Sequence, residues 1–171
     1  MTAYDYVVVG AGVAGSLTAA RLSRHPGTTV LLLEAGGRVP DGPAARDPAQ
    51  AHLLWGTDAD WSDETVPQPG LGGRTVRWPA GRALGGSSVL NAALWVPGHD
   101  ADYDAWAAYG GTGWDSGSAR RALHRLTPAG GGPLPVEAAP ADAWTSRLTS
   151  AAAAAGFPPS DPGGPHAEGF A

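Results

Sequence analysis

The sequence predicts an α/β fold built on a parallel sheet, and three features carry that expectation. A short apolar run, YDYVVVG at 4–10, ends in glycine. A stretch of small residues and leucines follows, and then a second apolar run, TTVLLLE at 28–34. Continuous apolar runs of this length suit parallel strands covered on both faces. Strand, tight turn, helix and strand spell a βαβ unit with a right-handed crossover.

The elements follow in chain order. GVAGSLTAARLSRH reads as a helix stopped by Pro26-Gly27. From 36 to 80 periodicity weakens, and Trp55, Trp61 and Trp78 punctuate an extended excursion with short strands, RTVRW among them. DADYDAWAAYG predicts a helix with Gly110 as its stop. DSGSARRALHRL predicts another, capped by Ser116 or Ser118 and with Pro128 beyond its end. GPLPVE at 132–137 suits a strand. ADAWTSRLTSAAAAAG predicts a last helix, with Asp142 as cap and Gly156 just past its end. Trp144, Leu148 and Ala152 repeat there at helical spacing, as a core-facing stripe would.

Composition narrows the function classes. A chain of 171 residues suits one domain better than two. With a net charge of −5 and no basic stripe, a general nucleic-acid binder is not expected. The chain has no cysteine, hence neither a disulfide framework nor a thiolate metal site, and no metal is expected. No run approaches the length of a membrane span and no leader pattern precedes Tyr6, so a cytoplasmic protein is expected.

Two stretches carry chemistry. Gly10-Ala11-Gly12-Val13-Ala14-Gly15 is a G-x-G-x-x-G, a weak signal by itself in a chain with 26 glycines. Its context strengthens it, because it leaves a strand and opens a helix. Gly10 permits the tight turn, Gly12 lets a pyrophosphate approach the backbone, and Gly15 lets helix pack on strand. The helix N-terminus then offers N–H groups to phosphate. Glu34 closes the second strand, where a carboxylate accepts hydrogen bonds from ribose hydroxyls and repels a 2′-phosphate. The second stretch is GRALGGSSVLNAALW at 81–95. Gly85 and Gly86 would allow close approach, Ser87 and Ser88 would donate to phosphate, and Asn91, on the buried side, would orient a ring. On chemistry alone, a glycine-rich turn starting a serine-capped helix explains this stretch equally well.

The chain resembles the N-terminal part of a glucose-methanol-choline (GMC) flavin oxidoreductase. The likeness lies in YDYVVVGAGVAG, in LLLEAGG, in WSDETVPQPGLGGRTVRWPAGRALGGSSVLNAALW and in DYDAWAAYGGTGW, and it weakens after Leu126. GRALGGSSVLN is similar to a family signature and far more specific than the glycine fingerprint. The resemblance implies a Rossmann-like FAD-binding fold, incomplete here, over 1–130, and the beginning of a substrate-binding domain over 131–171. It implies FAD as cofactor, with Val13 and Ala14 at the pyrophosphate and Glu34 and Ala35 at the adenosine ribose. Ser87, Asn91, Ala92 and Leu94 would lie along the flavin side, and Arg82 is a further cofactor-binding candidate. Some members tether FAD through a histidine just before the position of Asn91; Leu90 stands there, which implies non-covalent FAD.

The family oxidises alcohols, the flavin taking hydride while a histidine near the C-terminus of a much longer chain takes the hydroxyl proton. His25, His52, His99, His124 and His166 lie in no segment like that motif, so no catalytic residue is expected here. The chain reads as a cut piece, inactive alone, for which a C-terminal segment in trans would be a partner. A non-catalytic remnant or interaction module without flavin is the alternative. An NAD-dependent dehydrogenase would explain the βαβ unit and leave GRALGGSSVLN without a role.

Overall fold

The computed structural model describes residues 3–39, 41–138 and 142–161. They form two compact units, one ending at Leu94 and one beginning at Trp95.

In the first unit, β1 (Tyr6–Val9) and β2 (Val30–Leu33) pair in parallel, Tyr6 opposite Val30 through Val9 opposite Leu33. Helix α1 (Val13–Leu22) makes the crossover and packs on both strands. The βαβ unit is therefore as the sequence predicts. Helix α1 ends before Pro26, at Ser23, and Gly27 turns the chain at φ +81°. Asp5 ties the two strand entrances together, its Oδ2 accepting from both the N–H and the hydroxyl of Thr29 at 2.8 Å.

The strands are not covered on both faces. The sheet has two strands among the described residues, and Val7 and Val9 are 55% and 81% exposed. One helix and one neighbouring strand cannot bury a strand that is apolar on both sides. The buried apolar residues lie elsewhere and are mostly small: Ala11, Ala19, Ala51, Leu54, Ala59, Ala83 and Leu90. They mark where backbone segments cross closely, so the packed part of this unit is the site region.

Between 36 and 80 the chain is largely irregular. A one-turn helix α2 (Pro43–Arg46) leads into a 3₁₀ segment, Pro48–Leu54, capped by the Asp47 carboxylate on the Ala49 N–H. A short hairpin follows, with β3 (Asp63–Glu64) antiparallel to β4 (Arg77–Trp78). The predicted strand RTVRW is thus present in its last two residues.

In the second unit, α3 (Asp100–Gly110) and α4 (Ser116–His124) form a helical hairpin. Helix α3 matches its sequence bounds. Helix α4 is capped by Asp115, whose carboxylate accepts from the Ser118 N–H, and not by either serine. Asp outcompetes Ser here because its two oxygens take the Ser118 N–H and hydroxyl together. Arg120 joins the hairpin to its entry, donating to Asp100 at 2.7 Å and to the Gly98 carbonyl at 3.0 Å. Tyr103, Trp106 and Trp114 stack edge to face.

Helix α5 (Ala143–Ala154) is capped by Asp142, and Gly156 leaves it at φ +90°, both as predicted. Its stripe is not core: Trp144 is 66% exposed, and no residue of α5 is buried. Helical spacing fixes which residues share a face, but it does not supply the partner that would cover it. GPLPVE forms no strand, since two prolines withhold ladder donors. His166 lies outside the described residues.

Candidate functional site

The site grows from the β1–α1 turn. Gly10 takes φ +92°, a left-handed conformation that glycine tolerates, and a side chain there would meet open space. Gly15 is required for packing, because a Cβ would stand 1.9 Å from the Gly10 carbonyl oxygen. Helix α1 begins at Gly12 with no side-chain cap and no acidic residue in its first turn. The N–H groups of its first turn are therefore bonded to no capping side chain, and the nearest carboxylate described, Glu34, reaches only the Ala11 N–H before the helix.

Residues 81–91 reach this turn. Gly85 donates its N–H to the Ala11 carbonyl at 2.9 Å, and Gly12 and Gly85 form a parallel bridge. Gly86 stands at φ +57°, and a Cβ on it would come 2.8 Å from the Gly12 Cα. The two glycine-rich stretches are thus one backbone surface. A second crossing lies at the end of β2, where Gly37 bridges Ala83 and accepts the Leu84 N–H at 2.9 Å. A Cβ on Gly36 would stand 2.0 Å from the Arg82 carbonyl oxygen. A cavity of about 440 Å³ opens beside this crossing, lined by Gly37, Arg38, Thr57, Asp58 and Arg82 among others. Arg82 itself lies over the Trp61 ring, 5.3 Å from its centre.

Glu34 connects the two crossings. One carboxylate oxygen accepts from the Gly36 N–H at 2.9 Å and the other from the Ala11 N–H at 2.7 Å. These donors, Gly36 first and then Ala11, hold its carboxyl below the usual carboxylate range. The carboxylate braces the turn, and each oxygen keeps a second lone pair for another donor. Asp60 is also held below its ordinary value: burial pushes it up, but the N–H groups of Gly56, Ser62 and Ala80 and the charge of Arg77 outweigh burial. For both groups the folded value lies below the unfolded one, so their stabilisation is full at neutral pH and is lost as pH falls through the folded value. Urea midpoints should therefore be flat from pH 7 to about 5 and drop below the unfolded values of 4.5 and 3.8. A midpoint that rises on acidification would contradict this.

The structure brings Gly10, Gly12, Val13, Ala14, Gly15, Glu34, Ala35, Arg82, Gly85, Gly86 and Ser87 into one region through these crossings. Ser87 is exposed, its Oγ accepting the Gly81 N–H at 3.0 Å, and the Ser88 hydroxyl donates to the Gly85 carbonyl. The apolar run after them does not bury itself. Residues 86–89 form a single 3₁₀ turn, Leu90 is buried, and Asn91, Ala92 and Leu94 are exposed, Leu94 by 81%. The Asn91 side chain closes a tight local turn by accepting the Ala93 N–H at 2.9 Å, with Ala93 at φ +53°. Such a turn points successive side chains outward, and periodicity alone does not reveal it. Sequence reasoning also missed Gly36 and Asp60. The doubled glycine after Glu34 was the available signal for the first; the second had none beyond its place beside Trp61.

A family model described as GMC oxidoreductase matches residues 4–171. An uncharacterised GMC-type oxidoreductase of Mycobacterium tuberculosis is 50% identical over 113 residues, 66% of this chain and 21% of that protein. An alcohol dehydrogenase [acceptor] of Pseudomonas putida is 45% identical over 112 residues, 65% of this chain and 20% of that protein. The crystal structure of a pyridoxine 4-oxidase superposes with a TM-score of 0.80 at 36% identity, over 91% of this chain and 33% of that one. The chain spans about a fifth of the length of the curated relatives it matches. The fold is a Rossmann-like α/β unit of the kind these oxidoreductases share.

Proposed function

Because this chain belongs to the GMC oxidoreductase family, we propose that it is the FAD-binding portion of an enzyme oxidising the CH–OH group of a small alcohol. The observation that carries this reading is the meeting of Gly12 with Gly85 and Gly86: two side-chain-free stretches from opposite ends of the unit, beside an uncapped helix start. Such a surface fits a dinucleotide, whose pyrophosphate needs bare backbone and N–H donors. FAD, when bound, supplies the hydride acceptor.

The chain's own residues bind and orient. Gly10 and Gly12 leave room for the pyrophosphate, and the first turn of α1, with Val13 and Ala14, faces its charge. Glu34 and Ala35 would lie beside the adenosine ribose, the carboxylate accepting a hydrogen bond from a ribose hydroxyl with its remaining lone pairs. Ser87, Asn91, Ala92 and Leu94 would line the flavin side, and their exposure leaves them free to do so. Leu90 offers no nucleophile, so the cofactor is held without a covalent bond. None of the described histidines is given the alcohol's proton in this reading: His25 follows the end of α1, His52 and His99 each have Nδ1 engaged with the backbone, and His124 lies in the last turn of α4.

Flavin titration of the chain tests this. FAD should bind, and acid precipitation should release all of the yellow colour. Glu34→Gln removes the charge and one acceptor, and should weaken FAD roughly tenfold to a hundredfold. Colour left in the acid pellet would refute non-covalent binding. A chain that takes up no FAD would favour the interaction module.

A further inference from the structure

Asp60 is a carboxylate only 5% exposed that the cofactor reading does not use. Its Oδ2 accepts from the Gly56 N–H at 2.8 Å, and its Oδ1 from Ser62 at 3.0 Å and Ala80 at 2.9 Å. A buried acid with three backbone donors is a structural clasp. Its position explains the need. The base of the 60–81 excursion is an antiparallel pairing, with Trp61 donating to the Ala80 carbonyl at 2.8 Å and Arg82 to the Ala59 carbonyl at 2.7 Å. Ser62, at φ +55°, and Pro79, which has no N–H, interrupt that ladder. The Ala80 N–H is left without a backbone acceptor, and the Asp60 side chain takes its place.

From Ala80 the contacts run directly to the glycine turn. A Cβ on Gly81 would stand 2.2 Å from the Gly86 carbonyl oxygen, and the Gly81 N–H is held by the Ser87 hydroxyl. Gly86 in turn lies against Gly12. Residues 80–87 have no freedom to adjust at these points except as a body. We propose that Asp60 is a positioning residue: it fixes the height of residues 80–87 over the Gly12 turn, and thereby the flavin half of the cofactor site, without touching the cofactor. This rests on the FAD reading above.

The test uses the full chain and two variants. Asp60→Ala removes all three acceptor contacts. Asp60→Asn can keep the Oδ1 contacts to Ser62 and Ala80 while setting an amide N–H against Gly56, and it serves if the alanine variant fails to fold. In hydrogen exchange, amides of 80–88 should exchange roughly tenfold faster or more in Asp60→Ala, with 6–33 unchanged. The asparagine variant should change chiefly at Gly56. FAD affinity should fall roughly tenfold or more while AMP affinity stays within about twofold, because AMP has neither the pyrophosphate nor the flavin that would meet residues 80–87 and relies on Glu34. Unchanged exchange at 80–88 overturns the proposal, as does an equal loss of FAD and AMP, which would mark general destabilisation. Should the unsubstituted chain bind no FAD, the cofactor reading fails, and exchange at 80–88 alone supports or overturns what Asp60 holds.

Discussion

Gly36→Ala is expected to abolish FAD uptake and to cost about 1–3 kcal/mol of stability, the range for forcing an extra carbon into a packed site. The new Cβ would meet backbone, not a movable side chain: the Arg82 oxygen at 2.0 Å, its carbonyl carbon at 2.2 Å and the Ala83 nitrogen at 2.5 Å. Residues 82–84 would have to lift from the end of β2, taking the bridge between Gly37 and Ala83 with them. The neighbouring Gly37 is the control. A Cβ there meets nothing within 4 Å, and its backbone is not in the left-handed region, so Gly37→Ala should be near neutral. Urea unfolding and flavin titration of the pair check this. Equal behaviour of the two variants would show that the crossing is not tight.

The second large effect concerns association. Isolated residues 1–171 are expected to self-associate, and Val9→Lys to shift them toward monomer. Tyr6 and Gly10 donate their N–H groups to the Thr29 and Leu33 carbonyls on the β2 side, so by the alternation of a parallel ladder Val7 and Val9 direct theirs to the other edge. No third strand pairs there among the described residues. An apolar edge with free donors recruits further chains, and a lysine on it is a common deterrent. Sedimentation velocity at several concentrations reads the outcome. A monodisperse monomer of the unsubstituted chain would sink this expectation, and so would a lysine variant that associates unchanged.

The βαβ unit was legible because each of its decisions is local. The apolar runs, the small residues at Gly10, Gly12 and Gly15 and the helix stop all act within a few positions of themselves. The caps at Asp142 and Gly156 were legible for the same reason. What escaped depends on distant partners. Nothing near Val7 says whether a third strand lies beside it, and nothing near Trp144 says whether α5 is covered. Gly36 is required by Arg82, and Asp60 by Ala80, across loops that periodicity does not describe. GRALGGSS was recognisable as special for its glycines, but the outward turn at Asn91 rests on one side-chain hydrogen bond.

The Asp60 clasp also bears on the order in which the unit assembles. Joining Gly12 to Gly85 in one step would close most of the unit as a single loop, whereas β1 and β2 meet through one short crossover. Asp60 and Ala80 are 20 residues apart. Once they are joined, the intervening excursion no longer counts toward the length that must be closed, and the entropy of the remaining search falls. Local contacts form before distant ones reward their closure. The βαβ unit and the clasped excursion would then form as separate nuclei, and their docking at Gly12 and Gly36 would be the late event. In kinetic terms, removing the Asp60 carboxylate should slow refolding, whereas crowding Gly36 should chiefly speed unfolding.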